Sequence, residues 1–84
     1  SETEQANCLR AKAIIDKVGG VGVVRTITGR SRTRVYSWTY PKDRHGTGGL
    51  IPSECQQALL AFARENCLPL RPSDFFPPER EDAA

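Results

Sequence analysis

The residues best suited to chemistry stand together between Ser31 and Ser37, in the order Ser-Arg-Thr-Arg-Val-Tyr-Ser. Read as a helix, the stretch buries an edge through Val35 and Trp38, three residues apart. Arg32, Thr33, Tyr36 and Ser37 then face outward, with Arg34 to one side. An arginine can bond O6 and N7 of guanine with two parallel hydrogen bonds. Threonine and serine suit either kind of base edge or a phosphate, and a threonine methyl can touch thymine. The expected base-contacting set is therefore Arg32, Thr33, Tyr36 and Ser37. Phosphates ask for cations, hydroxyls and exposed amides. The expected backbone-contacting set is Arg30, Ser31, Arg34, Tyr40, Lys42 and Arg44.

Such a face must be held by other elements. Ser31 is a good N-cap, because its hydroxyl can accept from amides two or three residues on. The helix it opens is expected from Arg32 to Thr39. Pro41 stops it, since the residue before a proline is pushed out of helical geometry. Upstream, Val21–Thr28 is β-prone by composition. It reads as a short helix, with a strand as the competing assignment, because Val23, Val24 and Ile27 share a face and Gly19-Gly20 precede them. Thr28-Gly29-Arg30 forms the turn. Val24, Ile27, Val35 and Trp38 are expected to be the core of this two-helix unit.

An earlier helix is expected from about Ala6 to Val18, on the recurrence of Leu9, Ala13, Ile14, Lys17 and Val18. Residues 41–50 read as a loop, with Pro41, three glycines and His45. A last helix is expected to have Pro52 at its first position, a stripe of Cys55, Ala58, Leu59, Phe62 and Ala63, and a stop at Asn66. Leu68, Leu70, Phe75 and Phe76 are expected to anchor an extended tail. The expected fold is all-α: a compact four-helix helix-turn-helix domain over residues 6–76, with an extended Pro-rich C-terminal tail. Residues 1–5 are expected to fray and residues 77–84 to be disordered.

The other chemistry-bearing residues are sparse. Cys8, Cys55 and Cys67 make an odd, widely spaced set, a poor disulfide or metal framework, and read as buried or half-buried thiols in a reducing cytosol. His45 stands alone, without a neighbouring acid or cysteine to make it a base or a ligand. There is no phosphate-binding Gly-rich motif, and 84 residues leave no room for a nucleotide-binding sheet. No catalytic residue, metal or cofactor is expected, and the chain does not read as an enzyme. No secretory leader or membrane span is visible. The formal net charge is +2. It is unevenly spread: residues 10–44 hold nine basic against two acidic residues, and residues 45–84 hold three against six. That polarity suits presenting one face to a polyanion.

Several stretches together resemble a known family: Ala13-Ile14-Ile15-Asp16-Lys17-Val18-Gly19-Gly20, then Val23-Val24-Arg25-Thr26-Ile27, then Val35 and Trp38. Ile51-Pro52, Leu59-Leu60-Ala61-Phe62-Ala63-Arg64 and Leu70-Arg71-Pro72-Ser73-Asp74-Phe75-Phe76 complete the set. Over residues 12–77 the chain resembles the Cro/repressor-type helix-turn-helix regulators of phages and bacteria, and more closely the short YdaS-like or carph-isopro proteins of proteobacteria. Val24 stands where the family usually has alanine, and Thr28 where it has glycine. Residues 39–50 insert a basic, Gly-rich loop where the family passes in a few residues. The resemblance implies a sequence-specific duplex-DNA-binding transcription regulator, a repressor, in the bacterial cytoplasm at the nucleoid. It implies a homodimer, whose expected surface is the last helix and the C-terminal tail. Two other functions compete: an antitoxin-like module that holds a partner protein and autoregulates, and an architectural protein that binds nucleic acid without sequence preference.

Overall fold

The computed structural model describes residues 2–75. Four helices succeed one another: α1 (Glu2–Val18), α2 (Val21–Thr28), α3 (Arg32–Ser37) and α4 (Ser53–Glu65). Short 3₁₀ turns lie at Lys42–Arg44 and Pro72–Phe75, and the described residues contain no strand. The chain is all-α.

The breaks between helices follow from the backbone. Gly19 and Gly20 take φ of 119° and 105°, a region costly to residues with a Cβ. The Gly20 amide reaches back to the Ile15 carbonyl at 2.9 Å and the Gly19 amide to Asp16 at 3.2 Å, closing α1. A Cβ at Gly19 would also stand 3.0 Å from a Val23 methyl, so α2 packs against the bend itself. This bend settles residues 21–28 as helix rather than strand. Gly29 ends α2 with φ of 72°, its amide bonded to the Arg25 carbonyl at 2.8 Å. Two residues later Ser31 opens α3.

Trp38, Leu59, Val24, Val35 and Cys55 are the largest fully enclosed side chains. They bring α2, α3 and α4 onto one centre, with Ile27 partly buried against it. The expected core of the α2–α3 unit is therefore in place. On α4 the expected stripe is also seen: Cys55, Leu59 and Ala63 are buried, and Ala58 and Phe62 half-buried.

Other expectations are corrected. The buried face of α1 is Ala11, Ile14, Ile15 and Val18, while Leu9 and Ala13 are exposed. The apolar period admitted both faces, and packing chose the one carrying two isoleucines. α1 also begins at Glu2, inside the segment expected to fray. The Glu4 carboxylate accepts from the Lys42 amide at 2.9 Å and ties down the first turn, where an acid also suits the helix dipole. Pro52 sits one place earlier than expected: it is the N-cap, extended at ψ 145°, and its carbonyl takes the first bond of α4 from Gln56.

α3 ends at Ser37 rather than Thr39. Beyond it the amides of Trp38, Thr39 and Tyr40 each reach back three residues, a tighter turn forced before Pro41. Asn66 is not the left-handed residue after α4. Cys67 takes that role at φ 55°, and the Leu68 amide bonds Ala63 at 2.8 Å. Cys67 is accordingly exposed, against the expectation of a buried thiol; Cys8 is half-buried and Cys55 buried, and all three are free. Leu68, Leu70 and Phe75 do return to the core. The chain after Leu70 turns as a 3₁₀ helix instead of running extended. Phe76 and residues 77–84 lie outside the described residues. No helix among the described residues is long and apolar enough to cross a membrane.

Candidate nucleic-acid interface

α3 is short, so its position depends on its ends. The Ser31 hydroxyl accepts from the Arg34 amide at 3.2 Å and satisfies one orphan donor of the first turn. At the far end the Thr47 amide donates to the Ser37 carbonyl at 2.8 Å, and the Gly48 amide to Tyr40 at 2.9 Å. The inserted loop therefore caps α3 and does not swing as an arm. The loop is in turn seated on α1. A Cβ at Gly49 would collide with the Asn7 backbone, and one at Gly46 with the Tyr40 carbonyl. Only glycine permits that approach.

Val35 and Trp38 fix the inward side of α3. At 100° per residue the outward direction falls on Thr33, flanked by Arg32 and Tyr36 on one side and by Arg34 and Ser37 on the other. Arg32, Thr33 and Arg34 are exposed. Among the described residues no hydrogen bond or ion pair engages the side chains of these three. Two guanidinium groups thus stand in solvent around a threonine, with no acid on α3 to neutralise them. The Ser37 hydroxyl is half-buried and donates to the Arg34 carbonyl. Such a hydroxyl presents its lone pairs outward, as an acceptor.

The remaining expected contacts divide. Lys42 and Arg44 are exposed on the 3₁₀ turn beyond the C-terminal end of α3, with Asp43 between them. Tyr36 and Tyr40 turn toward α1 and line a groove with Leu9 and Cys8. Burial, and after it the charge of Glu4, pushes the Cys8 thiol up, so a neutral group stands there.

Arg30 is drawn the other way, onto the start of α4. Its Nη2 lies 2.9 Å from Glu54 Oε1, and its Nε donates to Cys55 Sγ at 3.4 Å. The bond to Cys55, then the Glu54 carboxylate, hold its guanidinium still more firmly protonated. Sequence reasoning gave Arg30 a phosphate. The structure gives it the turn between α2 and α3, which it straps to α4. Glu54 lies two residues beyond Pro52, in the first turn of α4. No spacing rule links it to Arg30, because the pairing spans the whole inserted loop.

No group of three or more histidine, cysteine or acidic residues able to hold a metal occurs among the described residues. Comparison with protein-family models, with curated proteins and with solved structures finds no match in any of the three.

Proposed function

We propose that the chain is a sequence-specific duplex-DNA-binding regulator of transcription, a repressor of the helix-turn-helix type, in which α2 supports α3 and α3 enters the major groove. The observation that carries this reading is the outward face of α3. Arg32, Thr33 and Arg34 stand exposed and unengaged among the described residues, on a helix whose N-cap, inner edge and C-terminal end are all fixed. A positioned cationic and hydroxylic face at that scale matches base edges flanked by phosphates.

In this reading Arg32 and Thr33 meet bases, with Ser37 as an acceptor toward an amino group. Arg34 and Ser31 meet phosphates, and Lys42 and Arg44 meet the backbone beyond the reading helix. Six residues of helix give few base contacts. Affinity and specificity then come from two copies on a two-fold symmetric site. The place of action is the bacterial nucleoid.

The test is equilibrium binding to duplex DNA over a salt series. Neutralising about four phosphates per protomer gives a slope of log K against log salt near −4 per protomer. A flat response contradicts the proposal.

A further inference from the structure

Four large apolar side chains are exposed among the described residues: Leu9 (66%), Leu50 (68%), Tyr36 (40%) and Tyr40 (47%). Three of them, Leu9, Tyr36 and Tyr40, line one groove between α1 and the end of α3. Its two halves hold about 830 and 470 Å³ and share Cys8, Leu9, Thr39 and Tyr40. At one end the rim carries Lys12 and Asp16, and at the other Asp43 and Arg44, all exposed, with the half-buried Glu4 beside that second pair and already accepting from the Lys42 amide. The outward positions of α4 offer no such surface: Ser53, Glu54, Gln57, Ala61, Arg64 and Glu65 are polar or alanine.

We propose that this groove is the dimer surface, occupied by the same groove of a second copy laid antiparallel across a two-fold axis. A two-fold interface pairs one patch with itself, so the patch must be self-complementary. The rim meets that condition. With the grooves antiparallel, Lys12 and Asp16 of one copy face Asp43 and Arg44 of the other, and the symmetry axis repeats the pairing. Asp16 and Asp43 each meet a base, and Glu4 stays on the Lys42 amide of its own copy. Leu9 and Tyr40, central in both halves of the groove, supply the apolar contact, and aromatic anchors of this kind are enriched in interface cores. Duplex DNA fits the groove poorly, because its acids, Glu4, Asp16 and Asp43, offset its bases, Lys12 and Arg44, whereas the outward face of α3 carries Arg32 and Arg34 and no acid. In the dimer Tyr36 and Arg44 belong to the interface: Tyr36 leaves the base-contacting set and Arg44 the backbone-contacting set, which keeps Lys42.

The inference deepens the dimer assumed in the reading above. It is tested without DNA, so failure of one is distinguishable from failure of the other. Sedimentation equilibrium of the full chain across the micromolar range reads the dimer constant. Leu9→Glu, at an exposed position, leaves the helical circular-dichroism signal unchanged and weakens association by tenfold or more, on the order expected for a charge placed in an apolar contact. Lys12→Glu also weakens it, and adding Asp43→Lys to Lys12→Glu restores it, as only partners facing across the axis would. Gln57→Glu with Ala61→Glu on α4 leaves it unchanged. A chain that stays monomeric throughout overturns the proposal. So does a dimer that ignores Leu9→Glu and is lost with the α4 pair.

Discussion

α3 and α4 are both amphipathic helices packed on the same core, yet they differ in what holds them. α4 has thirteen residues and buries Cys55, Leu59 and Ala63 along one side. α3 has six, too few to be stable alone, and buries only Val35 within its length. Its place is fixed from outside: by Ser31 at its start, by Trp38 just past its end, by the Thr47 amide on its last carbonyl, and by the Arg30 strap to α4. The outward residues differ in the same sense. Those of α4 mix acid, base and amide, whereas those of α3 are cationic or hydroxylic. A helix with little stability of its own, fixed at both ends and left cationic outside, suits the presenting role proposed for α3. The longer helix is scaffold.

Substitutions can break that contrast, beginning with the most severe. Trp38→Ala empties the site under α3 and should cost about 3–5 kcal/mol in chemical denaturation, enough to unfold most of a domain this small. Retention of full stability would mean that α3 is not seated by this residue.

Arg32→Ala should leave stability within about 0.5 kcal/mol. In binding it should cost about 1–3 kcal/mol and relax base preference at one position of the site. Normal binding by this variant would show that the reading register of α3 lies elsewhere. Ser31→Ala removes the cap and should cost about 1 kcal/mol of stability, measured by the same denaturation series.

The smallest effect concerns the far side of the molecule. Asp74 accepts from the Arg71 amide at 2.9 Å and lies 3.3 Å from Lys17 Nζ. The amide first, and Lys17 after it, hold its carboxyl below the usual aspartate range. A depressed carboxylate contributes stability that is present above the unfolded value of about 4 and lost as pH falls through the lower folded value. Asp74→Asn should flatten that acid-side loss by a small amount, since the pair is partly exposed and screened. An unchanged acid titration would show that Asp74 does not pin the segment after α4 to α1.

Much of this arrangement was legible in the residues. Gly19-Gly20, Gly29, the Ser31 cap and the Val35–Trp38 pair each carry a local rule, and each held. What failed depended on contacts far apart in sequence. The face of α1 was ambiguous because Leu9 and Ala13 complete an apolar period as well as Ala11 and Ile15 do, and only the rest of the core decides. The seating of the loop rests on Gly46 and Gly49 meeting backbone at Tyr40 and Asn7, a fit that composition does not announce. The Arg30–Glu54 pair is not announced either, because its acid lies across that loop. Nor does any local rule announce that Tyr36 and Tyr40 line a groove beside α1 with Leu9 and Cys8.

The most direct test of α3 as a reader of DNA is selection of the purified chain on random-sequence duplex pools at near-physiological salt, followed by sequencing. Enrichment of a two-fold symmetric motif, lost with Arg32→Ala at one position of each half, is the predicted result. Retention without any motif would contradict sequence-specific reading and leave backbone binding alone, and no retention would contradict DNA binding altogether.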